Sequence, residues 1–257
     1  MVESKGLLNP GAADVSIDRF TIGLDDLVRH VWVVRWDVPA GQVRRQRVLT
    51  YPACNIVVSP DGAALYGPDP SVSVRELSGR SWVVGVLMRP AAARALTGTD
   101  PGRLVAASEP MPDAPVTAIR AAMHDGRPVG ELLHDWLEPV SRQVDASGRL
   151  VNTVCRLAED RDDVIKVEDL ARLVATTPRN LGRIVKYHTG LTPKWLIECR
   201  RLQQAAMTLY TRPDTDLATL AVGLGYADQA HFTRRYHQVL DETPDRTRRV
   251  GRSHGTA

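Results

Sequence analysis

The chain has 257 residues, 43% of them hydrophobic and 25% charged. That is the composition of an ordinary globular protein with room for two domains, since most domains are nearer 100–150 residues, and no apolar run approaches the roughly 18–20 residues that cross a bilayer. The net charge of +3 conceals an asymmetry: residues 1–147 carry 15 Lys/Arg against 17 Asp/Glu and residues 148–257 carry 18 against 13, so the front is slightly acidic (−2) and the back basic (+5).

Met1 to Val15 lacks the charged start and apolar stretch of a secretory signal, so a cytoplasmic location is expected. The first third then alternates apolar runs with turn residues. His30 to Trp36, Asn55 to Val58, Val72 to Val74 and Ser81 to Met88 are rich in β-branched and aromatic residues, and Pro39-Ala40-Gly41, Pro60-Asp61-Gly62 and Gly67-Pro68-Asp69-Pro70 punctuate them. The pattern predicts a mostly antiparallel sheet or small barrel. After a loop-like stretch from Thr97 to Pro115, helices are expected at about Val116–Met123 and Val129–Val144, and Asp145-Ala146-Ser147-Gly148 reads as a domain boundary. The fold class expected is α+β: a β-rich domain over 1–147 and an all-α domain over 148–257.

From Arg149 onward the apolar spacing is helical, and the segment contains an internal repeat. Leu170-Ala171-Arg172-Leu173-Val174 returns as Leu220-Ala221-Val222-Gly223-Leu224, Leu181 to Val185 returns as Phe232 to Tyr236, and Thr192-Pro193 returns as Thr243-Pro244. Each copy reads as a short helix, a turn and a second helix. Ala171 and Ala221 let the second helix cross closely, while Val174 and Leu224 plug the angle between the two. Thr177-Pro178 and Asp228 are placed to cap the second helices, and Leu181 with Val185, and Phe232 with Tyr236, face a small core at i, i+4. Left on the outer faces are Arg179, Asn180, Arg183 and Lys186 in the first copy and Gln229, His231, Thr233, Arg234 and Arg235 in the second. These side chains suit base edges and phosphates.

On these residues, together with Gly190-Leu191-Thr192-Pro193, Arg201-Leu202, Ala205, Gly225-Tyr226 and Pro244, the stretch from Arg149 to Arg249 resembles the AraC/XylS family of bacterial transcription regulators. The resemblance implies two helix-turn-helix units joined by a long helix, matched by Pro193 to Tyr210, that place their second helices in successive major grooves of promoter DNA. Three positions depart from the family pattern: Val185 stands where phenylalanine is usual, Gly182 where a base-contacting side chain is common, and Asp241 where glycine ends the second recognition helix. The first unit is therefore expected to read fewer bases, whereas aspartate tolerates the left-handed conformation better than most residues. The tail residues Arg246, Arg248, Arg249 and Arg252 either touch phosphate or are simply solvated.

Family members with a front domain commonly use it to sense a small molecule or to dimerise, often through a cupin-like β-barrel, which the segment from Val31 to Pro90 resembles. Trp32, Trp36, Tyr51, Trp82 and Arg89 are the candidate effector contacts, with core filling as the alternative for each tryptophan. His30, His124 and His134 are too scattered for a metal-binding cupin, and Cys54, Cys155 and Cys199 fit reduced core residues rather than disulfides or a zinc site. Neither metal nor cofactor is expected. The expected partners are double-stranded promoter DNA, RNA polymerase and an unidentified small-molecule effector, with a homodimer left open. Two other readings stay open: a regulator whose front domain only mediates association, and an enzyme carried on the same DNA-binding fold, against which the lack of any nucleophile–base motif speaks.

Overall fold

A computed structural model of the chain describes residues 14–49 and 52–254. Strands β1 (Val15–Phe20), β2 (Val28–Val38), β3 (Arg44–Leu49), β4 (Asn55–Ser59), β5 (Gly62–Tyr66), β6 (Val72–Leu77) and β7 (Gly79–Met88) come first. Helices α1 (Ala92–Leu96) and α2 (Pro101–Leu104) and the short β8 (Ser108–Pro110) then lead into α3 (Val116–His124) and α4 (Gly130–Ser141). Six strands form one antiparallel sheet in the order β1-β2-β7-β4-β5-β8, and β3 pairs with β6 in a separate two-stranded ribbon. Among the described residues the hydrogen bonding does not close: β1 and β8 remain edges, so the β-rich domain is an open sheet with a ribbon.

The period of two sorts the sheet into faces. Val31 and Val33 of β2, Val84 and Val86 of β7, Ile56 and Val58 of β4 and Leu65 of β5 are buried in a core that also takes in Ile119 of α3 and Leu133 and Leu137 of α4. The four apolar runs read from the sequence are β2, β4, β6 and β7. The remaining strands carry weaker signals, since β1 and β3 are rich in charge and β5 has only five residues after the Asp61-Gly62 turn.

The helical part comprises α5 (Ala146–Asp160), α6 (Val167–Leu173), α7 (Pro178–Thr189), α8 (Pro193–Thr211), α9 (Leu217–Gly223), α10 (Gln229–Leu240) and α11 (Pro244–His254). Asp145 accepts a bond from Gly148 N at 2.7 Å, so the stretch expected to separate two domains is the capped first turn of α5. Thr177 and Asp228 cap α7 and α10 as their sequence suggests. Asp241 takes the left-handed conformation (φ 51°, ψ 31°) that ends α10.

Two cores result. The larger runs without a break from the front sheet through α5 and α6 into Leu181 and Val185 of α7 and Leu196 and Ile197 of α8. The smaller holds Leu202 and Leu209 of α8 with Ala221, Leu224, Phe232 and Tyr236, and Val72 of the ribbon packs against it. The first helix-turn-helix unit thus shares its core with the front domain, while the second has its own.

Polar contacts tie the same seam. Arg29 of β2 donates two bonds, of 2.7 and 2.6 Å, to the buried carboxylate of Glu159 in α5. The Asn152 side chain accepts from Ala91 N at 3.0 Å and donates to Asp26 O at 2.8 Å. Arg94 of α1 lies 4.0 Å from the centre of the Tyr187 ring and donates to Tyr187 O at 3.0 Å, holding the last turn of α7. Just beyond that turn, Gly190 has φ 71°, and a Cβ there would stand 2.5 Å from Pro101 O of the front domain.

Two glycines of this region should therefore respond oppositely to alanine. Gly190→Ala is expected to cost more than the ~1–2 kcal/mol of left-handed strain alone, because the approaching atom is backbone. Gly182, inside α7 with nothing within 4 Å of a Cβ, should instead gain about 0.5–1 kcal/mol as alanine. Urea unfolding of both variants measures this, and equal effects of the same sign would contradict the packing described.

Candidate nucleic-acid interface

The two second helices present their faces in the same way. Leu181, Val185 and His188 bury one side of α7, and Phe232, Tyr236 and Val239 bury the corresponding side of α10. A shift of 51 positions superposes the two sets, carrying Arg183 onto Arg234, Lys186 onto His237 and Ile184 onto Arg235. Arg183 and Arg234 are both exposed on the side away from the buried residues.

The structure also places Arg179, Lys186, Gln229 and His231 in solvent, with Asn180 and Thr233 half-buried at the flanks. Asn180 is braced: its Nδ2 donates to Thr176 Oγ1 at 2.8 Å, and its Oδ1 accepts from Arg183 Nη2 at 3.0 Å. Arg183 is thereby held by the turn before it reaches any ligand. His231 is in edge-to-face contact with Tyr226, with centroids 5.5 Å apart, which fixes the start of α10. Burial pushes the Tyr226 phenol up to about 12, and the Arg201 guanidinium stacks over its ring at 3.8 Å.

Arg235 does not join the outward set. Its Nε and Nη2 donate to the two oxygens of Glu198 on α8 at 2.6 and 2.7 Å, and Nη1 donates to Gln238 Oε1 at 2.6 Å. The hydrogen-bonded carboxylate raises the guanidinium's already high pKa. The repeat itself carried this signal, since the matching residue in α7 is the apolar Ile184, which packs on the core. The same register exposes a residue that the reading of outer faces passed over: His237, the match of Lys186, is exposed on α10.

The basic tail is the amphipathic helix α11. Arg252 pairs with Asp214 at 2.7 Å, and Arg248 bonds both Asp245 and Thr215 O, whereas Arg246 and Arg249 are exposed. Gly251 lets α11 press against α8, where a Cβ would lie 2.2 Å from Tyr210 O.

The front-domain candidates separate. Strand register puts Trp32 and Trp36 on one face of the sheet, while Trp82 sits opposite Arg35 on the other face and packs against the large core. Trp36 Nε1 donates to Ser78 O at 3.1 Å. Arg89 lies beyond the end of β7 and donates to Asp25 O at 3.0 Å. Tyr51 falls outside the described residues. The three cysteines are buried, and burial pushes Cys54 and Cys199 up to about 12 and Cys155 upward as well, so all are unreactive thiols at neutral pH.

Comparison with known proteins yields matches in both parts of the chain. A family model described as a helix-turn-helix domain matches residues 170–250, and one described as a domain of unknown function matches residues 21–108. The chain is 28% identical over 120 residues to XylDLEGF operon transcriptional activator 2 of Pseudomonas putida, covering 43% of this chain and 76% of that protein. It is 30% identical over 105 residues to a Proteus vulgaris protein named probable transcription factor PqrA, covering 40% and 85%. The match to the HTH-type transcriptional activator RhaS of Pectobacterium carotovorum is 32% over 66 residues, 26% of this chain and 23% of that one.

If Arg235 ties α10 to the connector, Glu198→Ala and Arg235→Ala should each lower stability, and the double variant should lose little more than either. A double-mutant cycle by urea unfolding should give a coupling on the order of 1–2 kcal/mol. Simple additivity would show the pair to be incidental.

Proposed function

From the membership of this chain in the AraC/XylS family of DNA-binding transcription regulators, we propose that it reads promoter DNA through α7 and α10 and that its front domain controls that reading. The observation that carries the proposal is the repeat of one exposed arginine at the same place on two recognition helices, Arg183 and Arg234, each backed by a buried apolar face. Arginine reaches two acceptors of a guanine edge at once, and a helix of this diameter fits the major groove. Arg179, Gln229 and His231 extend the base-reading surface, with Asn180 and Thr233 at its flanks. Lys186, placed toward the end of its helix, serves as a phosphate anchor.

The two units differ in stringency. Gly182 offers no side chain where Thr233 stands in the second copy, so α10 is the more selective reader. Arg235 acts by positioning α10 on the connector. The continuous core between front domain and first unit supports control through α7, since any change in the packing of the sheet on α5 bears on the helix that Arg94 and Gly190 hold. A small-molecule effector, RNA polymerase as the downstream partner, a cytoplasmic location and regulation without catalysis complete the reading.

Selection of bound sequences from a random DNA pool tests this with the full chain. Arg183→Ala and Arg234→Ala are each expected to relax a preference of about tenfold at a few base pairs, the two sets lying one helical turn (~34 Å) apart. Lys186→Ala should weaken binding to all sequences alike and reduce the salt slope by about one. Unchanged base preferences in both arginine variants would show them to be phosphate anchors.

A further inference from the structure

The arginines of the two recognition helices occupy matching places but differ in what holds them. Arg183 donates from Nη2 to Asn180 Oδ1 at 3.0 Å, and Asn180 Nδ2 donates to Thr176 Oγ1 at 2.8 Å. A guanidinium only donates, so the amide atom facing it is the oxygen, and the nitrogen is left for the threonine. Thr176 is itself fixed by the turn. The left-handed Ala175 before it (φ 49°) bends the chain, and Thr176 N donates to Ala171 O of α6 at 3.0 Å. A line of side chains thus links the exposed guanidinium to the backbone of the unit's first helix.

The second unit treats its arginine differently. The shift of 51 positions that carries Arg183 onto Arg234 puts His231 in place of Asn180 and Ala227 in place of Thr176. His231 turns to the Tyr226 ring, and the methyl of Ala227 can accept no hydrogen bond. Arg234 has neither a hydrogen bond nor an ion pair among the described residues. The chemistry of the brace on Arg183 matters as well. Where a carboxylate takes an arginine, as Glu198 takes Arg235, its two oxygens occupy the fork and the positive charge is answered within the protein. Asn180 is neutral and takes a bond from Nη2 alone, so the charge and the remaining donors of Arg183 stay available to DNA.

We propose that Asn180, seated by Thr176, is a positioning residue that sharpens the base preference of Arg183. An exposed arginine samples many rotamers, and ordering it on a guanine edge costs entropy. A guanidinium already held by the brace loses less on binding. It is also less free to swing to a phosphate when the base is wrong, a move that would restore part of the lost affinity and blunt discrimination. Both effects act on the contact that Arg183 makes and not on the helix as a whole. Over its half-site the second unit still reads more positions, through Gln229, His231 and Thr233, but at the arginine position the first unit is the sharper of the two. The proposal rests on α7 reading DNA through Arg183. It gives Asn180 a role inside the protein, where both ends of its amide are engaged, in place of a contact with a base.

Selection of bound sequences from a random DNA pool by the full chain tests this, with Thr176→Val, Thr176→Ser, Asn180→Ala, the Thr176→Val/Asn180→Ala double variant and Arg183→Ala beside the unaltered protein. Thr176→Val keeps the branched shape at a half-buried turn position, and the cap of α7 belongs to Thr177. Preferences are ratios within one variant, so a partly folded sample does not imitate the effect. At the base pairs that Arg183→Ala relaxes, Thr176→Val and Asn180→Ala are each expected to weaken the preference by about threefold, to leave the Arg234 positions as they were, and to do no more together than singly. Thr176→Ser, which retains the hydroxyl, should keep the full preference. Unchanged preferences in both Thr176→Val and Asn180→Ala, or a loss of equal size at both arginine positions, would overturn the brace. So would a change in Asn180→Ala at base pairs that Arg183→Ala does not affect, since Asn180 would then be a reader in its own right. Arg183→Ala separates the two ideas. If it relaxes a preference that the other variants leave intact, only the brace fails; if it relaxes none, the reading of DNA by α7 fails and takes the brace with it.

Discussion

A helix of seven residues such as α6 or α9 is not stable in water by itself, because the cost of nucleating it exceeds what so few hydrogen bonds return. Each helix-turn-helix unit therefore exists only through the surface that buries its inner face, and the two units solve this differently. The second closes on itself, with Phe232, Tyr236, Leu224 and Ala221 packed on the latter half of α8. The first is closed by α5 and by the front domain, whose core continues into Leu170, Leu181 and Val185. The packing of the front domain and the packing of α7 thus belong to one core.

The pair of half-buried Arg29 and buried Glu159 stands at that junction. Burying two charges carries a desolvation cost that mutual attraction scarcely offsets, so such a pair adds little net stability, whereas removing one partner leaves an uncompensated charge and is strongly destabilising. Around it, Asn152 satisfies two backbone groups of the front domain and Arg94 holds the end of α7, so the seam is polar and specific as well as apolar.

Much of the DNA-reading part was legible in the sequence because its signals are local. Caps at Thr177 and Asp228, the small residues Ala171 and Ala221, and the i, i+4 apolar pairs are fixed by helix geometry over a few residues, and the structure keeps them. Arg235 was read as outward because it is charged, and only its equivalence to Ile184 and the presence of Glu198 on another helix reveal its inward tie. The front half was less legible for a different reason. Strand partners there are distant in sequence, and which tryptophan faces which side depends on register: Trp32 and Trp82 look alike in the chain and lie on opposite faces. The stretch at 145–148 forms the N-cap and first turn of α5, since Asp and Ser favour helix starts as much as loops. The shared core could not be read at all, since nothing local says that Leu181 and Val86 belong to one cluster.

Native-state hydrogen exchange on the full chain, comparing the unaltered protein with Glu159→Gln, tests the central claim most directly, because exchange resolves which helices open together. If the first unit depends on the front domain for its core, the substitution should speed exchange in α5, α6 and α7 and leave the amides of α10 protected as before. Unaltered protection of α7, or an equal rise in α7 and α10, would contradict the account.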